Sequence, residues 1–250
     1  MARRFQGKVA VVTASSEGIG FDIAERFGLE GASVLISCRK QRNVEEAVEK
    51  LKAKGINSVH GVVCHVANPE HRKNLIHQTL EKFGKIDVVV SNAGTNLSAE
   101  PFMKIPESIH DNAWENVKSA ILILQEAAPH LNKGSSVILV SSVAGDDPLP
   151  PTPIHGVTKT ALLGLTKALA KEMAPHTRVN CIAPKFLPTP FAEATIKKET
   201  NWESMEEATM HERVGTISEV AAAAAFLASD DGYYTTGETW MLSIGVHARL

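Results

Sequence analysis

The sequence has few cysteines, no long apolar run and almost no excess charge. Its three cysteines are scattered over 250 residues, at Cys38, Cys64 and Cys181, which argues against a disulfide framework and favours a reducing compartment. No stretch reaches the roughly 18 apolar residues of a membrane span, so no transmembrane helix is expected. The residues after Met1 run directly into an apolar segment, and a signal peptide is therefore not predicted.

The charge balance and the histidine pattern exclude further classes of partner. Lys and Arg number 26 against 28 Asp and Glu, a formal net charge of −2, so there is no basic excess to attract nucleic acid or an anionic membrane. The 10 histidines form no HExxH or similar zinc spacing, and there is no CxxC. We therefore expect no nucleic-acid, membrane or metal partner.

What the sequence does contain is a strict alternation of apolar runs and amphipathic segments. The apolar runs predict strands buried on both faces, and apolar residues three or four apart predict helices that end at glycines such as Gly31 and Gly55. The predicted strands are 8–13, 33–37, 59–64, 86–91, 136–141, 178–183 and 238–242, and the predicted helices are 18–30, 43–54, 69–83, 113–131, 153–174 and 217–228.

This alternation predicts the fold class. Repeated strand–helix–strand units imply a parallel sheet with right-handed crossovers and helices on both faces. We expect an α/β protein with one Rossmann domain over residues 1–250 and a doubly wound, seven-stranded parallel sheet.

The turn between the first predicted strand and the first helix is rich in small residues. Residues 13–20 read Thr-Ala-Ser-Ser-Glu-Gly-Ile-Gly. Glycines at this place let the backbone approach a pyrophosphate at a helix amino terminus, where free N–H groups favour negative charge. The alternative is a tight strand–helix turn without a ligand.

The end of the second predicted strand bears on the choice of nucleotide. A fold that prefers NAD places an acid there to bind the ribose hydroxyls, but here the strand is followed by Arg39 and Lys40. Two cations suit a 2′-phosphate, which favours NADP(H) over NAD(H). The alternative is a solvated basic pair.

Three motifs together resemble those of the short-chain dehydrogenase/reductase family, over essentially the whole chain. They are Thr13-x-x-x-x-Gly18-Ile19-Gly20, Ser91-Asn92-Ala93-Gly94 and Ser141-Ser142. Within the family the chain is most similar to the peroxisomal members related to dehydrogenase/reductase member 4 and to the plant branch linked to indole-3-butyrate metabolism, on runs such as 64–66, 158–167 and 222–231. Members of the plant branch commonly end in Ser-Arg-Leu, so the terminal Ala248-Arg249-Leu250 predicts a peroxisomal location.

The resemblance implies the residues of an active site. Ser142 matches the serine that binds the substrate carbonyl, Lys159 the lysine that holds the nicotinamide ribose, and Asn116 the asparagine of the proton relay. These three and His155 are the predicted catalytic residues. The predicted cofactor-binding residues are Thr13, Ser15, Ser16, Gly18, Ile19, Gly20, Arg39, Lys40, His65, Val66, Asn92, Ala93, Gly94, Lys159, Pro184, Lys185, Leu187 and Thr189. The family also implies a small-molecule substrate and a homo-oligomer, a dimer or tetramer, or pairing with a homologous chain.

The sequence departs from the family pattern around the predicted reaction centre. His155 stands where the family has its catalytic tyrosine, thirteen residues after Ser142 and four before Lys159. Lys185 replaces a glycine beside the nicotinamide, where its ammonium could repel the oxidised ring, bind a substrate carboxylate or point to solvent. The segment before Asn116 is one residue shorter than in close relatives, and the diglycine near the carboxyl terminus is replaced by Ile244-Gly245.

A histidine at this position changes the acid–base chemistry. The ordinary pKa of histidine is about 6.5 and that of tyrosine about 10, and the ammonium of Lys159 on the same helix face lowers the histidine pKa further. Neutral imidazole is a base and a poor acid, so the substitution weakens carbonyl reduction more than alcohol oxidation. Imidazole is also shorter than phenol by roughly 2 Å, a gap that one water could bridge.

Three functions remain open on the sequence alone. The first is an NADP(H)-dependent oxidoreductase for a small carbonyl or alcohol, with His155 in place of tyrosine. The second is non-redox acid–base chemistry on the same scaffold, such as isomerisation, cyclisation or elimination. The third is a catalytically silent subunit that pairs with an active homologue.

Overall fold

Seven apolar runs pair side by side in the computed structural model of the chain. The structure describes residues 3–148, 152–185, 187–189, 192, 206–207 and 209–245. Within these ranges the strands are β1 (Val9–Val12), β2 (Ser33–Cys38), β3 (Val59–Val63), β4 (Ile86–Ser91), β5 (Leu131–Val140), β6 (Thr177–Pro184) and β7 (Thr239–Leu242). Their order is β3-β2-β1-β4-β5-β6-β7, and every neighbouring pair is parallel.

The order of the strands reverses next to β1. β1 pairs with β2 on one side and with β4 on the other. Ligands of open α/β sheets bind at such a switch point, beyond the carboxyl ends of the strands. The topology therefore predicts where the functional site lies.

Helices cover both faces of the sheet. Among the described residues they are α1 (Gly18–Leu29), α2 (Gln41–Ala53), α3 (Pro69–Phe83), α4 (Glu107–Ala113), α5 (Glu115–Ala127), α6 (Pro153–Glu172) and α7 (Ile217–Ala228). One core lies under α1, α2 and α7 and includes Phe27 and Leu51. A second core lies under α3, α5 and α6 and includes Leu75 and Leu162. Side chains of a strand alternate between the faces, so Val12 belongs to the first core and Val11 to the second.

The predicted fold is confirmed, but one predicted helix is wrong. The helix expected over 113–131 is instead α5, which ends at Ala127 and is followed by a short 3₁₀ turn, Ala128–His130. Pro129 lies in this turn, and because proline has no N–H it interrupts the α-helical hydrogen bonding. The separate helix α4, which follows Pro106, was not predicted.

The strand expected over 136–141 also has different bounds. It begins five residues earlier, as β5, with its first part at the protein surface. A register shift separates the pairing of Leu131 with Ile86 from the pairing of Ser136 with Val88. The apolar pattern marks only the buried part of the strand, which is why the exposed part was missed.

Three features of the chain bear on its partners and location: long apolar helices, clusters of metal ligands and the carboxyl-terminal residues. In these ranges no helix is long and apolar enough to cross a membrane. No group of three or more potential metal-ligating side chains comes together there. The terminal Ala248-Arg249-Leu250 lies outside the described residues, so its role as a peroxisomal address stays a prediction.

Candidate active site

A cleft of about 300 Å³ lies at the carboxyl edge of the sheet, where β1, β2, β4, β5 and β6 end. It contains residues from segments that are far apart in the sequence and that the topology brings to one edge. The sequence-predicted residues that line it are Gly18, Ile19, Arg39, Asn92, Gly94, Ser142, His155, Lys159, Pro184, Lys185, Leu187 and Thr189.

The turn after β1 and the end of β4 are held together as one unit. The amide of Asn92 donates from Nδ2 to the carbonyl oxygens of Thr13 (3.1 Å) and Ala14 (2.9 Å). In return, Thr13 Oγ1 accepts from the backbone N–H groups of Asn92 (3.0 Å) and Ala93 (3.2 Å). A Cβ atom on Gly20 would lie 2.5 Å from Asn92 Nδ2, so the close approach of α1 to this unit requires glycine.

The amino terminus of α1 is not capped by a side chain. Its N-cap residue, Glu17, makes no side-chain hydrogen bond, and the first turn contains no acid. By contrast, Asn68 caps α3 by accepting from Glu70 N and His71 N. The first N–H groups of a helix have no partner within the helix, and Gly18 and Ile19 line the cleft. This end of α1 therefore has the donors and the dipole that suit an anionic ligand.

Several predicted cofactor residues support the cleft from outside it. Ser15 is fully buried, and its hydroxyl donates to Val12 O (2.6 Å) and accepts from Ser37 N (3.0 Å). Arg72 donates from Nη1 to Val66 O (2.7 Å), which fixes the segment after β3. The predicted residues that do not line the cleft are Thr13, Ser15, Ser16, Gly20, Lys40, His65, Val66, Ala93 and Asn116.

The imidazole of His155 lies in the wall of the cleft and is 8% exposed. Its Nδ1 lies 3.2 Å from the carbonyl oxygen of Thr95. Burial lowers the pKa of His155 to about 4, the charge of Lys159 lowers the pKa further in the same direction, and the Thr95 hydrogen bond opposes both. The sequence analysis predicts the correct direction of the pKa shift, but its largest cause is burial and not the ammonium of Lys159.

Lys159 and the two serines after β5 lie beside this histidine. Lys159 is 5% exposed, and its Nζ donates to Val140 O at 2.8 Å. Burial lowers the pKa of Lys159 to about 8, so the group is mainly ammonium at pH 7. Ser142 Oγ accepts from Ala144 N at 3.2 Å, which leaves the hydroxyl proton of Ser142 to be donated elsewhere.

Asn116 lies next to this group, although it does not line the cleft. The residue is 3% exposed. Its Oδ1 accepts from Thr95 N (2.7 Å), and its Nδ2 donates to Thr95 O (2.9 Å) and to Thr158 Oγ1 (3.1 Å). The amide thus holds the same carbonyl oxygen that His155 contacts.

Lys185 lines the cleft and is half-buried. Its backbone N–H donates to Leu242 O at 3.0 Å, and burial lowers the pKa of its ammonium. No carboxylate within the described ranges forms an ion pair with it. This position disfavours the alternative in which the side chain simply points to solvent.

Sequence reasoning did not name some residues of the cleft wall individually, although several lie in the segments 95–105, 144–154 and 186–212 that it expects to line a substrate pocket. The residues not named include Ala14, Glu17, Asn96, Ser141, Val143, Ala144, Thr152 and Ala192. Asn96 is of chemical interest, because its Oδ1 is buried and has no hydrogen-bond partner among the described residues. Its place two residues after Gly94 was the available signal.

A Rossmann sheet with a ligand cleft at its switch point defines a class of nucleotide-binding proteins, and comparisons with known proteins identify the family within that class. A family model described as Enoyl-(Acyl carrier protein) reductase matches residues 13–247. The chain belongs to the short-chain dehydrogenase/reductase family, whose members are oxidoreductases that use nicotinamide cofactors.

Individual relatives cover the whole chain. Tropinone reductase-like 3 from Erythroxylum coca is 60% identical over 251 residues, which is 100% of this chain and 97% of the relative. Short-chain dehydrogenase/reductase SDRA from Arabidopsis thaliana is 58% identical over 251 residues, covering 100% and 98%. Human dehydrogenase/reductase SDR family member 4 is 42% identical over 256 residues, covering 100% and 92%. The predicted likeness to member 4 is confirmed.

A solved structure shares the fold over its full length. The crystal structure of L-sorbose reductase from Gluconobacter frateurii, complexed with NADPH and L-sorbose, is 31% identical to this chain. The TM-score is 0.90, and 100% of each chain is covered.

Proposed function

We propose that the protein is an NADP(H)-dependent oxidoreductase for a small carbonyl or alcohol, with His155 in the place of the family's tyrosine. One observation carries the proposal: the uncapped amino terminus of α1 and the group Ser142, His155 and Lys159 line a single cleft. A cofactor whose diphosphate lay at α1 would extend toward these side chains. The non-redox and silent-subunit alternatives are outcomes of the test below.

The residues of the cleft fit a nicotinamide dinucleotide. Gly18 and Ile19 supply backbone donors for a diphosphate, and Arg39 is an exposed cation in the cleft wall. Neither Arg39 nor Lys40 forms an ion pair with a described residue, so Arg39 is available for a 2′-phosphate. That a solved relative holds NADPH supports this choice. When bound, the nicotinamide accepts or supplies the hydride.

The protonation state of His155 favours one direction of reaction. With a pKa of about 4, roughly one imidazole in a thousand carries the second proton at pH 7. Carbonyl reduction needs a proton donor, whereas alcohol oxidation needs an acceptor. At neutral pH the residue therefore takes a proton from an alcohol more readily than it gives one to a carbonyl.

Two other side chains assist this proton transfer. The hydroxyl of Ser142 has a backbone donor on its oxygen, so its own proton is directed to the substrate oxygen. The ammonium of Lys159 lies in the same wall and stabilises negative charge that develops on that oxygen. We also propose that the protein is peroxisomal and forms a homo-oligomer, as the sequence predicts.

Binding measurements test the cofactor assignment. NADPH and NADH are titrated by fluorescence into the wild type, Arg39→Ala and Lys50→Ala. Arg39→Ala should weaken NADPH binding about 10–100-fold, as expected for the loss of a charged hydrogen bond to phosphate, and change NADH binding little. Lys50→Ala is the matched control, because Lys50 is an exposed cation on α2 that does not line the cleft. Absence of binding to either nucleotide would overturn the assignment.

Turnover measurements test the reaction. A panel of aldehydes and ketones and their alcohols is assayed at 340 nm with the wild type, His155→Ala and His155→Tyr. Activity that is lost in His155→Ala and kept in the exposed control His77→Ala supports the proposal. A product of unchanged oxidation state would favour the acid–base alternative, and tight binding with activity only beside a second chain would favour the silent subunit.

A further inference from the structure

We infer that Thr95 and Asn116 fix the tautomer of His155, so that the proton resides on Nδ1 and Nε2 is the nitrogen that exchanges protons. Two observations carry the inference. His155 Nδ1 contacts Thr95 O, and Asn116 forms hydrogen bonds with the backbone N–H and the carbonyl oxygen of Thr95. The inference rests on the proposed function only where it makes Nε2 the reacting atom.

The first step concerns the partner of Nδ1. A backbone carbonyl oxygen can only accept a hydrogen bond. The 3.2 Å contact between His155 Nδ1 and Thr95 O is therefore a hydrogen bond only when Nδ1 bears the proton. Neutral imidazole has a single N–H, so the lone pair is on Nε2, and the low pKa of the ring keeps it neutral across the physiological range.

The second step concerns what holds the Thr95 peptide. Asn116 contacts both sides of residue 95, since Oδ1 accepts from Thr95 N and Nδ2 donates to Thr95 O. The second N–H of the amide donates to Thr158 Oγ1, which donates in turn to the backbone carbonyl oxygen of His155 at 2.8 Å. Asn116 thus connects the carbonyl beside the imidazole to the helical turn that carries the imidazole.

The third step is the chemical consequence. Which nitrogen of a histidine acts as base is set by the hydrogen bond of the other nitrogen, and a group that orients a catalytic histidine has a large effect on rate. A phenol has one oxygen and no tautomer to select. The hydrogen bonds from Asn116 through Thr95 can select a tautomer only because position 155 is histidine. Asn116 is therefore a positioning residue for His155.

Nitrogen-15 NMR tests the inference on the wild-type protein without any assay of turnover. Protein labelled with ¹⁵N-histidine is examined by long-range ¹H–¹⁵N correlation between pH 5 and 8, and the His155 signals are assigned by their loss in His155→Gln. The expected result is a protonated, pyrrole-like Nδ1 and a pyridine-like Nε2. A protonated Nε2 in the wild type would overturn the inference.

Variants of Asn116 test its positioning role. In Asn116→Ala the Thr95 backbone loses the two hydrogen bonds that hold its carbonyl oxygen beside His155 Nδ1, so His155 should become a mixture of tautomers. The kcat should fall about 10–100-fold, as for other groups that orient a reacting side chain, with the Kd for NADPH unchanged. Asn112→Ala is the control, because Asn112 is exposed and its side chain donates to Ser108 O, away from Thr95 and His155.

The outcomes separate this inference from the proposed function. An Asn116→Ala protein with the wild-type tautomer and the wild-type kcat would overturn the positioning role. A wild type that shows the Nδ1–H tautomer but turns over no substrate would support the inference and overturn the oxidoreductase proposal.

Discussion

The hydroxyl of Ser141 donates to the backbone carbonyl oxygen of Lys159 at 2.8 Å. Both residues are buried, and the bond joins the end of β5 to the middle of α6. It fixes the register between the segment that carries Ser142 and the helix that carries His155. The geometry of the candidate active site therefore depends on how closely these two elements pack.

We expect Gly156→Ala to disturb this packing. A Cβ atom on Gly156 would lie 2.7 Å from Pro148 Cβ and 2.8 Å from Ala144 O, so the loop after Ser142 must move. Overpacking of this kind costs about 1–3 kcal/mol. Chemical denaturation should show that loss in the free energy of unfolding, together with a lower kcat.

A second glycine of the same helix is the control for this prediction. A Cβ atom on Gly164 would meet nothing within 4 Å. Gly164→Ala should therefore stabilise the protein by about 0.5–1 kcal/mol, because alanine is the better helix former. Equal effects of the two substitutions would contradict the packing argument.

We expect Ala14→Gly to stabilise the protein. Ala14 has a φ of 51°, in the left-handed region that costs a residue with a Cβ atom about 1 kcal/mol. Glycine removes that strain, and the thermal midpoint of unfolding should rise.

Ala222→Gly, in the middle of α7, is the control for this prediction. It should destabilise the protein by about 1 kcal/mol, because glycine is a poor helix former. A lower thermal midpoint for Ala14→Gly would show that the turn is not strained.

We expect acid to destabilise the fold through His155. Its pKa is about 6.5 when unfolded and about 4 when folded, so between these values the unfolded chain binds more protons and stability falls as the pH falls. The neutral histidine contributes about 3 kcal/mol to the free energy of unfolding. This contribution is constant above pH 6.5 and is lost as the pH falls toward 4. Urea titrations at pH 4 to 7 should show that the free energy of unfolding depends less steeply on pH in His155→Gln than in the wild type. The same pH dependence in both proteins would mean that the folded histidine titrates normally.

We expect carbonyl reduction to accelerate in acid. If His155 donates the proton, kcat/KM for reduction should rise about tenfold per pH unit from pH 7 to 5, as the small imidazolium fraction grows. Lys159, with a pKa of about 8, stays charged over this window. Initial rates corrected for the decay of NADPH provide the measurement, and His155→Tyr should be nearly independent of pH because phenol stays protonated. A flat wild-type profile would exclude His155 as the donor.

Much of the fold could be predicted from residues that repeat regularly. The buried strands and the helices on both faces follow from apolar spacing, because each periodicity suits one kind of element. Boundaries were less certain where a proline or an exposed strand end interrupts the pattern, as at Pro129 and at the start of β5.

The sequence by itself determined the parallel sheet, the family resemblance and the presence of histidine at position 155, because motifs and periodicity are properties of the chain order. Only the tertiary structure decided that the hydroxyl of Ser15 is hydrogen-bonded to the backbone of β1 and β2 and does not line the cleft. It also decided that Lys185 lines the cleft and that Asn116 is connected to His155 through Thr95. Burial and hydrogen-bond partners are set by segments that meet only on folding. For the same reason the lowered pKa of His155 owes more to its surroundings than to its neighbour in sequence.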